Sequence, residues 1–374
     1  MGRPAFWSAR RGRHPVGRSA SGKAVRAGPP LAHAMLGLPY AAKEAGVDRR
    51  AAAQEDLLSL PRHGMARRSS LIPLAVAFVV SLWPVTASAG DLVRGVRGKL
   101  SAGDLSSGQA AVEAYRAKSG VDPEYLDAVG WLARGAQMLG RPDLASSYVV
   151  ELRREIREER PGLLLPLGAA IEVEGKLRLA GEGRGAAIRF LEAELGRAKD
   201  TALRSRIRKS LNVLTLEGEP APALGLSDHV GPAPRPLAEL KGRPALLFLF
   251  AQWCGDCKAE APALARLAST YGSRGLSVIA ATRLYGPGSD GTPATPAEEK
   301  EGIGRTWRES YPGLEAVPIV VDTETMVRYG ASATPTYALV DRKGIVRFYA
   351  PTRVAESELA RRIEDVLSEA PQGE

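Results

Sequence analysis

An apolar run, Ala245-Leu246-Leu247-Phe248-Leu249-Phe250, leads almost directly into Trp253-Cys254-Gly255-Asp256-Cys257-Lys258, and this passage constrains the fold more than any other part of the chain. Six consecutive apolar residues predict a strand buried on both faces. From Lys258 onward, Leu264, Leu267, Ala268 and Tyr271 recur at helical spacing and predict an amphipathic helix. The result is a strand–turn–helix with a thiol at the turn. At a helix N-terminus, free amides and the macrodipole favour a thiolate over a thiol.

Cys254 and Cys257 are the only 2 cysteines in 374 residues. A structural zinc site needs four ligands, and His14, His33, His63 and His229 have no ligand spacing. A purely structural disulfide across so short a loop constrains little of the unfolded chain. Redox chemistry is the reading that remains. Gly255 lets the turn tighten.

The residues from about Pro222 to Leu367 resemble the thioredoxin superfamily, specifically the TlpA/ResA-like thiol–disulfide oxidoreductases, or redoxins, of bacterial envelopes. The resemblance is carried by Pro222-Ala223, Leu240-Lys241-Gly242-Arg243-Pro244, the segment Trp253 to Lys258, Pro262, Tyr329-Gly330 and Ala333-Thr334-Pro335-Thr336. It implies a central mixed sheet flanked by helices, and a cis Pro335 lying against the cysteine pair. Thr334 would offer its backbone to an extended substrate segment, and Trp253 would pack beside the site. Cys254 would be the attacking thiolate and Cys257 the resolving thiol. No metal or organic cofactor is implied.

Two positions depart from ordinary thioredoxins. Phe248 stands where they carry a buried aspartate, six residues before the first cysteine. Glu260, three residues after the second, matches a glutamate of the ResA-like proteins. A carboxylate there could accept the proton of Cys257, whereas the plainer alternative is a solvated surface residue. Asp256 stands where many relatives have proline. Its charge opposes ionisation of Cys254, which destabilises the reduced form and points toward a reductase.

The formal net charge of +9 does not indicate a nucleic-acid partner. Residues 1–89 hold 13 Lys+Arg and 4 Asp+Glu, leaving 38 of each sign afterwards, so the later chain is neutral. Met65-Ala66-Arg67-Arg68, the apolar run Leu71 to Val85 and Ala87-Ser88-Ala89 read as a signal peptide over 65–89, cleaved before Gly90. The run is short and contains Pro73 and Pro84; an uncleaved anchor is the alternative. Residues 1–64, rich in Arg, Ala, Gly and Pro, are expected to be a non-native extension or a disordered leader, with Met65 as the start. A precursor peptide from within 1–64 would contradict the former.

Two domains are expected after the signal. Residues 90–215 read as an all-α domain with helical pattern from about Ser106. Trp131 to Ala136 and Leu139 to Ala145 form one helix–turn–helix; Ala170 to Leu179 and Gly185 to Leu195 form another about 40 residues later. The plan loosely resembles tetratricopeptide hairpins, although their period is about 34, and a plain helical bundle is the stronger alternative. Such a domain could dock a protein partner or dimerise. The proline-dense segment 216–236 reads as a linker, with His229 in a surface loop, and 237–374 as the thioredoxin-like α/β domain. Within it, strands are expected over Leu276 to Thr282, Val317 to Val321, Thr336 to Val340 and Ile345 to Tyr349. Helices are expected over Glu298 to Ser310, Thr323 to Tyr329 and Glu356 to Leu367, and Tyr285 to Pro296 should form a long loop, solvated by default, that could border the substrate groove.

The expected function is reduction of disulfides in exported proteins, in the periplasm or outside the cell, with electrons from a membrane thiol reductase. In the resembled family one task is reduction of apocytochrome cysteines before haem attachment, during cytochrome c maturation; nothing in the sequence selects it. The competing readings are a thiol peroxidase and a helical protein-binding scaffold carrying a redox domain. Peroxide consumption lost in Cys254→Ser would indicate the first. Absence of insulin reduction above the uncatalysed rate would indicate the second.

Overall fold

The structure, a computed structural model, describes residues 90–240, 242–287 and 291–369. The expected signal peptide at 65–89 and the segment 1–64 lie outside them. No helix among the described residues is long and apolar enough to cross a membrane.

Seven helices come first among the described residues: α1 Asp91–Ser101, α2 Leu105–Ser119, α3 Pro123–Met138, α4 Pro142–Glu155, α5 Leu164–Glu182, α6 Arg184–Arg197 and α7 Thr201–Thr215. α1 precedes the point where the helical pattern becomes legible. Aspartates set several starts: Asp104 accepts from Ser107 N, Asp122 from Tyr125 N, and Asp200 from Ala202 N and Leu203 N. Each satisfies amides that a helix leaves unbonded at its first turn. α3 packs on α4 and α5 on α6, the two helix–turn–helix units expected. Small residues let them close: Ala133, Ala136, Ala145 and Ala187 are fully buried. A Cβ on Gly130 would sit 3.1 Å from Ala169 Cβ of α5.

One charged residue ties three of these helices together. Glu172 of α5 is buried and lies 3.4 Å from Arg134 of α3, 3.1 Å from Lys176 and 3.5 Å from Lys209 of α7. Burial alone would raise its pKa, but Lys209, Arg134 and Lys176 together outweigh burial and hold the carboxyl well below its ordinary 4.5. A depressed carboxylate stabilises the fold fully above its unfolded pKa, and the contribution disappears as pH falls through the folded value. Glu172→Gln is therefore expected to cost about 3 kcal/mol at neutral pH, because three cations lose their shared counter-charge. It should also flatten the loss of stability below about pH 4.5. Denaturant melts at several pH values test this; an unchanged midpoint at pH 7 would contradict it.

The second half is built on a six-stranded sheet, order β1-β4-β3-β2-β5-β6. Its strands are β1 His229–Val230, β2 Ala245–Leu249, β3 Ser277–Thr282, β4 Ile319–Val321, β5 Thr336–Val340 and β6 Val346–Ala350. Helices α8 Gly255–Gly272, α9 Pro296–Ser310, α10 Thr323–Arg328 and α11 Glu356–Ser368 flank it. β2 is interior, parallel to β3 and antiparallel to β5. Its side chains alternate between two apolar layers, as the strand period requires. Leu246 and Phe248 share a core with Leu264 of α8, Trp307 of α9 and Ile363 of α11. Ala245, Leu247 and Leu249 share another with Leu216, Met326 and Tyr329. Each fully buried Leu or Phe contributes roughly 1.5–3 kcal/mol.

The register decides where the site forms. Leu249, the last residue of β2, lies opposite Thr336, the first of β5. The end of β2 that runs into Trp253 and Cys254 is thereby set beside the loop that ends in Pro335.

Residues 216–236, expected as a linker, are instead built into this domain. Gly218 N donates to Val346 O, Val346 N to Glu219 O and Ala221 N to Gly344 O, each at 2.9 Å. β1 pairs with β4, placing His229 opposite Val320 in a strand rather than in a free loop. Prolines stop helices, but they do not prevent pairing at a sheet edge, where the missing amide can face outward.

The helical half docks directly on the sheet half. Asn212 Nδ2 of α7 donates to Arg328 O at the end of α10 (2.9 Å). Gly330, φ 62°, lies directly against the backbone of α7. A Cβ there would lie 2.5 Å from Lys209 Cα and 2.9 Å from Arg208 C, both backbone atoms of α7.

Candidate active site

Cys254 and Cys257 are joined in a disulfide, with their Cα atoms 5.3 Å apart. Cys254 is the N-cap of α8, and the Cys257 amide donates to its Sγ at 3.1 Å. The strand delivers the first sulfur to the helix end, and the first turn places the second one beneath it. Cys254 is 5% exposed and Cys257 0%, so the first sulfur is the one a partner can reach. The amide and the helix dipole behind it stabilise negative charge on that atom once the disulfide opens.

The Thr334–Pro335 peptide is cis, and Thr334 O lies 3.4 Å from Cys254 Sγ. Thr336 Oγ1 donates to Ala333 O at 2.7 Å and braces the turn. Trp253 is 62% exposed beside the sulfur. It meets the Tyr285 ring edge-on, with centroids 5.6 Å apart.

Glu260 is not a solvated surface residue. It is 6% exposed, accepts from Arg353 Nε at 2.9 Å through Oε1, and accepts from Tyr337 OH at 3.2 Å through Oε2. It sits three residues beyond Cys257 on α8, on the same helix face. Phe248 lies fully buried in the core that also holds both cysteines, between Phe250, Tyr311 and Tyr337. The position that an acid would occupy in ordinary thioredoxins is thus aromatic, and Glu260 is the buried acid on the cysteine helix.

Asp256 is not an isolated charge either. Arg353 Nη1 lies 3.7 Å from its Oδ1. One guanidinium therefore serves two carboxylates, and its own pKa is raised by the hydrogen bond to Glu260 and by the charges of Glu260 and Asp256. Tyr337 is pushed well above the ordinary tyrosine range by burial and then by Glu260. The effect of Asp256 on Cys254, taken alone in the sequence, is partly offset by Arg353.

Sequence reasoning missed Arg353, Tyr337 and Glu299. Tyr337 had a signal: it lies in the strand expected after Pro335, where its register partner is Phe248 of the cysteine core. Arg353 lies beyond β6 and has no local signature. Glu299, buried in α9, accepts from Tyr285 N at 2.6 Å and Gly286 N at 2.8 Å. It anchors the start of the expected long loop, so that Tyr285 stands against Trp253.

A Redoxin family profile matches residues 216–362. Residues 216–362 are a Redoxin domain. The Redoxin domain begins at the segment that pairs with β6, ahead of the expected start at 237. "Thioredoxin-like protein YneN" of Bacillus subtilis (strain 168) is 26% identical over 149 residues, covering 40% of this chain and 79% of that protein. "Thiol:disulfide interchange protein DsbE" of Pseudomonas aeruginosa is 46% identical over 54 residues, 14% of this chain and 30% of that protein. Among solved structures, a putative thiol:disulfide interchange protein DsbE from Chlorobium tepidum aligns with TM-score 0.32 and 20% identity. That alignment covers 41% of this chain and 98% of the other. With its paired cysteines at the helix N-terminus of a Redoxin domain, the chain is a thiol–disulfide oxidoreductase.

Proposed function

We propose that this protein is an exported reductant of disulfides in other proteins. The observation that carries the reading is the disulfide at the N-terminus of α8, set 3.4 Å from the carbonyl that precedes the cis proline. In the reduced enzyme, the Cys254 thiolate attacks one sulfur of a client disulfide. A Cys254–client bond forms, the client S–S bond breaks, and one client thiolate leaves. Glu260 takes the proton from Cys257. The Cys257 thiolate attacks Cys254 Sγ, the second client thiol departs, and the enzyme is left with the disulfide. Two electrons pass to the client, and an upstream dithiol, expected in the membrane, must return them. Trp253, Thr334 and Pro335 flank the client's path to Cys254.

The reductive direction is supported by charge. Asp256 and Glu260 share the single cation Arg353, so excess negative charge remains near the sulfur and disfavours the thiolate. The signal-like segment 65–89 supports export, since an oxidising compartment is where a dedicated reductant is useful. An insulin-reduction assay with a supplied dithiol tests the function: no turnover above the uncatalysed rate would end it.

Glu260→Gln keeps the shape but removes the proton acceptor. It is expected to slow resolution of the mixed disulfide by about 10²-fold while leaving the first attack within about threefold. Rapid acid quench followed by mass analysis would show the Cys254–client adduct accumulating. Equal resolution rates in the two proteins would exclude the role.

A further inference from the structure

Beside the reacting sulfur, a cleft of about 220 Å³ opens between the helical half and the Redoxin domain. Thr201, Ser205 and Arg206 of α7 form one wall, and Trp253, Arg283 and Thr334 line the other. No acidic side chain lines it. Arg206 and Arg283 have no carboxylate within 4.0 Å among the described residues. The Arg206 stem lies over Gly168 of α5, which has no side chain to displace it. Of the two acids whose charges act on it, Glu172 already pairs with Arg134, Lys176 and Lys209, and Asp127 lies beyond ion-pair distance. Burial and then Arg134 lower the pKa of Arg206, and the opposing charges of Glu172 and Asp127 do not make up the difference. Arg283 is stacked 4.5 Å over the Tyr285 ring. Ser332, also lining the cleft, has a buried hydroxyl without a hydrogen-bond partner among the described residues.

We propose that this cleft binds the acidic flank of a client polypeptide, a Glu or Asp side chain near the client's disulfide cysteine being held between Arg206 and Arg283. The inference rests on the disulfide-reductase reading above. Thr334 and Trp253 place one end of the cleft at Cys254, and an extended client advances about 3.3 Å per residue. A carboxylate a few residues from the client sulfur therefore reaches the guanidiniums. The helical half is thus one wall of the substrate site rather than a separate module, and it selects clients by charge.

The test uses the reduced protein and two peptide disulfides that differ only in glutamates or lysines flanking the cysteine. At low salt the glutamate peptide is expected to show about tenfold higher kcat/KM, a margin that shrinks as salt rises. In Arg206→Gln/Arg283→Gln the ratio should fall to within about twofold, while Arg206→Lys, which keeps the charge, should retain part of it. Arg283→Gln alone, outside the helical core, should move the ratio in the same direction, so a folding defect in the Arg206 variant does not decide the matter. Equal rates on both peptides in the parent protein, or a preference that survives the double substitution, would overturn the proposal. Absence of exchange with either peptide would instead reject the reductase reading. In that event, calorimetric titration of the oxidised protein with cysteine-free versions judges the cleft separately: tighter binding of the glutamate peptide supports it, and identical titrations refute it.

Discussion

Cys254→Ser is expected to abolish disulfide reduction, a loss of at least about a thousandfold, because the attacking sulfur is removed and the one remaining thiol, Cys257, is fully buried. Cys257→Ser should behave differently. Cys254 keeps its place at the N-cap of α8, where the amide of residue 257 still points at it. The first exchange proceeds and the second does not, so client proteins remain joined to Cys254. Isolation of such adducts under non-reducing conditions, with mass mapping of the linkage, checks the assignment and identifies clients. The asymmetry of burial argues for this order, since Cys257 is sealed beneath the helix turn. Equal capture through Cys257 in the Cys254→Ser protein would reverse the roles.

Gly330→Ala is expected to destabilise the protein by about 3 kcal/mol and lower Tm by roughly 6–12 °C. Two effects add. The left-handed φ disfavours any Cβ, and here the Cβ would press on the backbone of α7 at Lys209 and Arg208. Backbone cannot step aside as the tip of a side chain can, so relief requires α7 to move off α10. Gly344→Ala is the matched control: φ is also positive, at 83°, but nothing lies within 4 Å of the added carbon. It should cost only about 1 kcal/mol. Calorimetric melts of the two variants compare the terms. Equal losses would show that crowding against α7 contributes nothing. Because α7 also walls the cleft beside Cys254, the Gly330 variant should lose client charge preference together with stability.

Much of the Redoxin domain was legible because its signals are local. The apolar run of β2, the turn with two cysteines and the face of α8 each depend on residues within one element. The Thr336–Val340 and Val346–Ala350 hairpin followed from alternation around Asp341 and Gly344. The linker expectation for 216–236 failed because proline density reports what the backbone cannot do, namely continue a helix. It does not report whether the extended chain finds an open sheet edge, which here it does. Glu260 was visible as a residue but not as an environment. Its two partners come from 77 and 93 residues away.

The sequence by itself determined the local parts of the site: two thiols at a strand-to-helix turn, and a Thr-Pro loop leading into a strand. Periodicity and turn propensity are short-range properties, so they survive without knowledge of the rest of the chain. Only the tertiary structure decided which charges surround the sulfurs. Arg353 reaches Asp256 and Glu260, Glu299 fixes Tyr285 against Trp253, and α7 brings Arg206 to the cleft. Those placements follow from how helices and strands pack over one another. A side chain's sequence position does not say which distant backbone will bury it or which opposite charge will lie within reach.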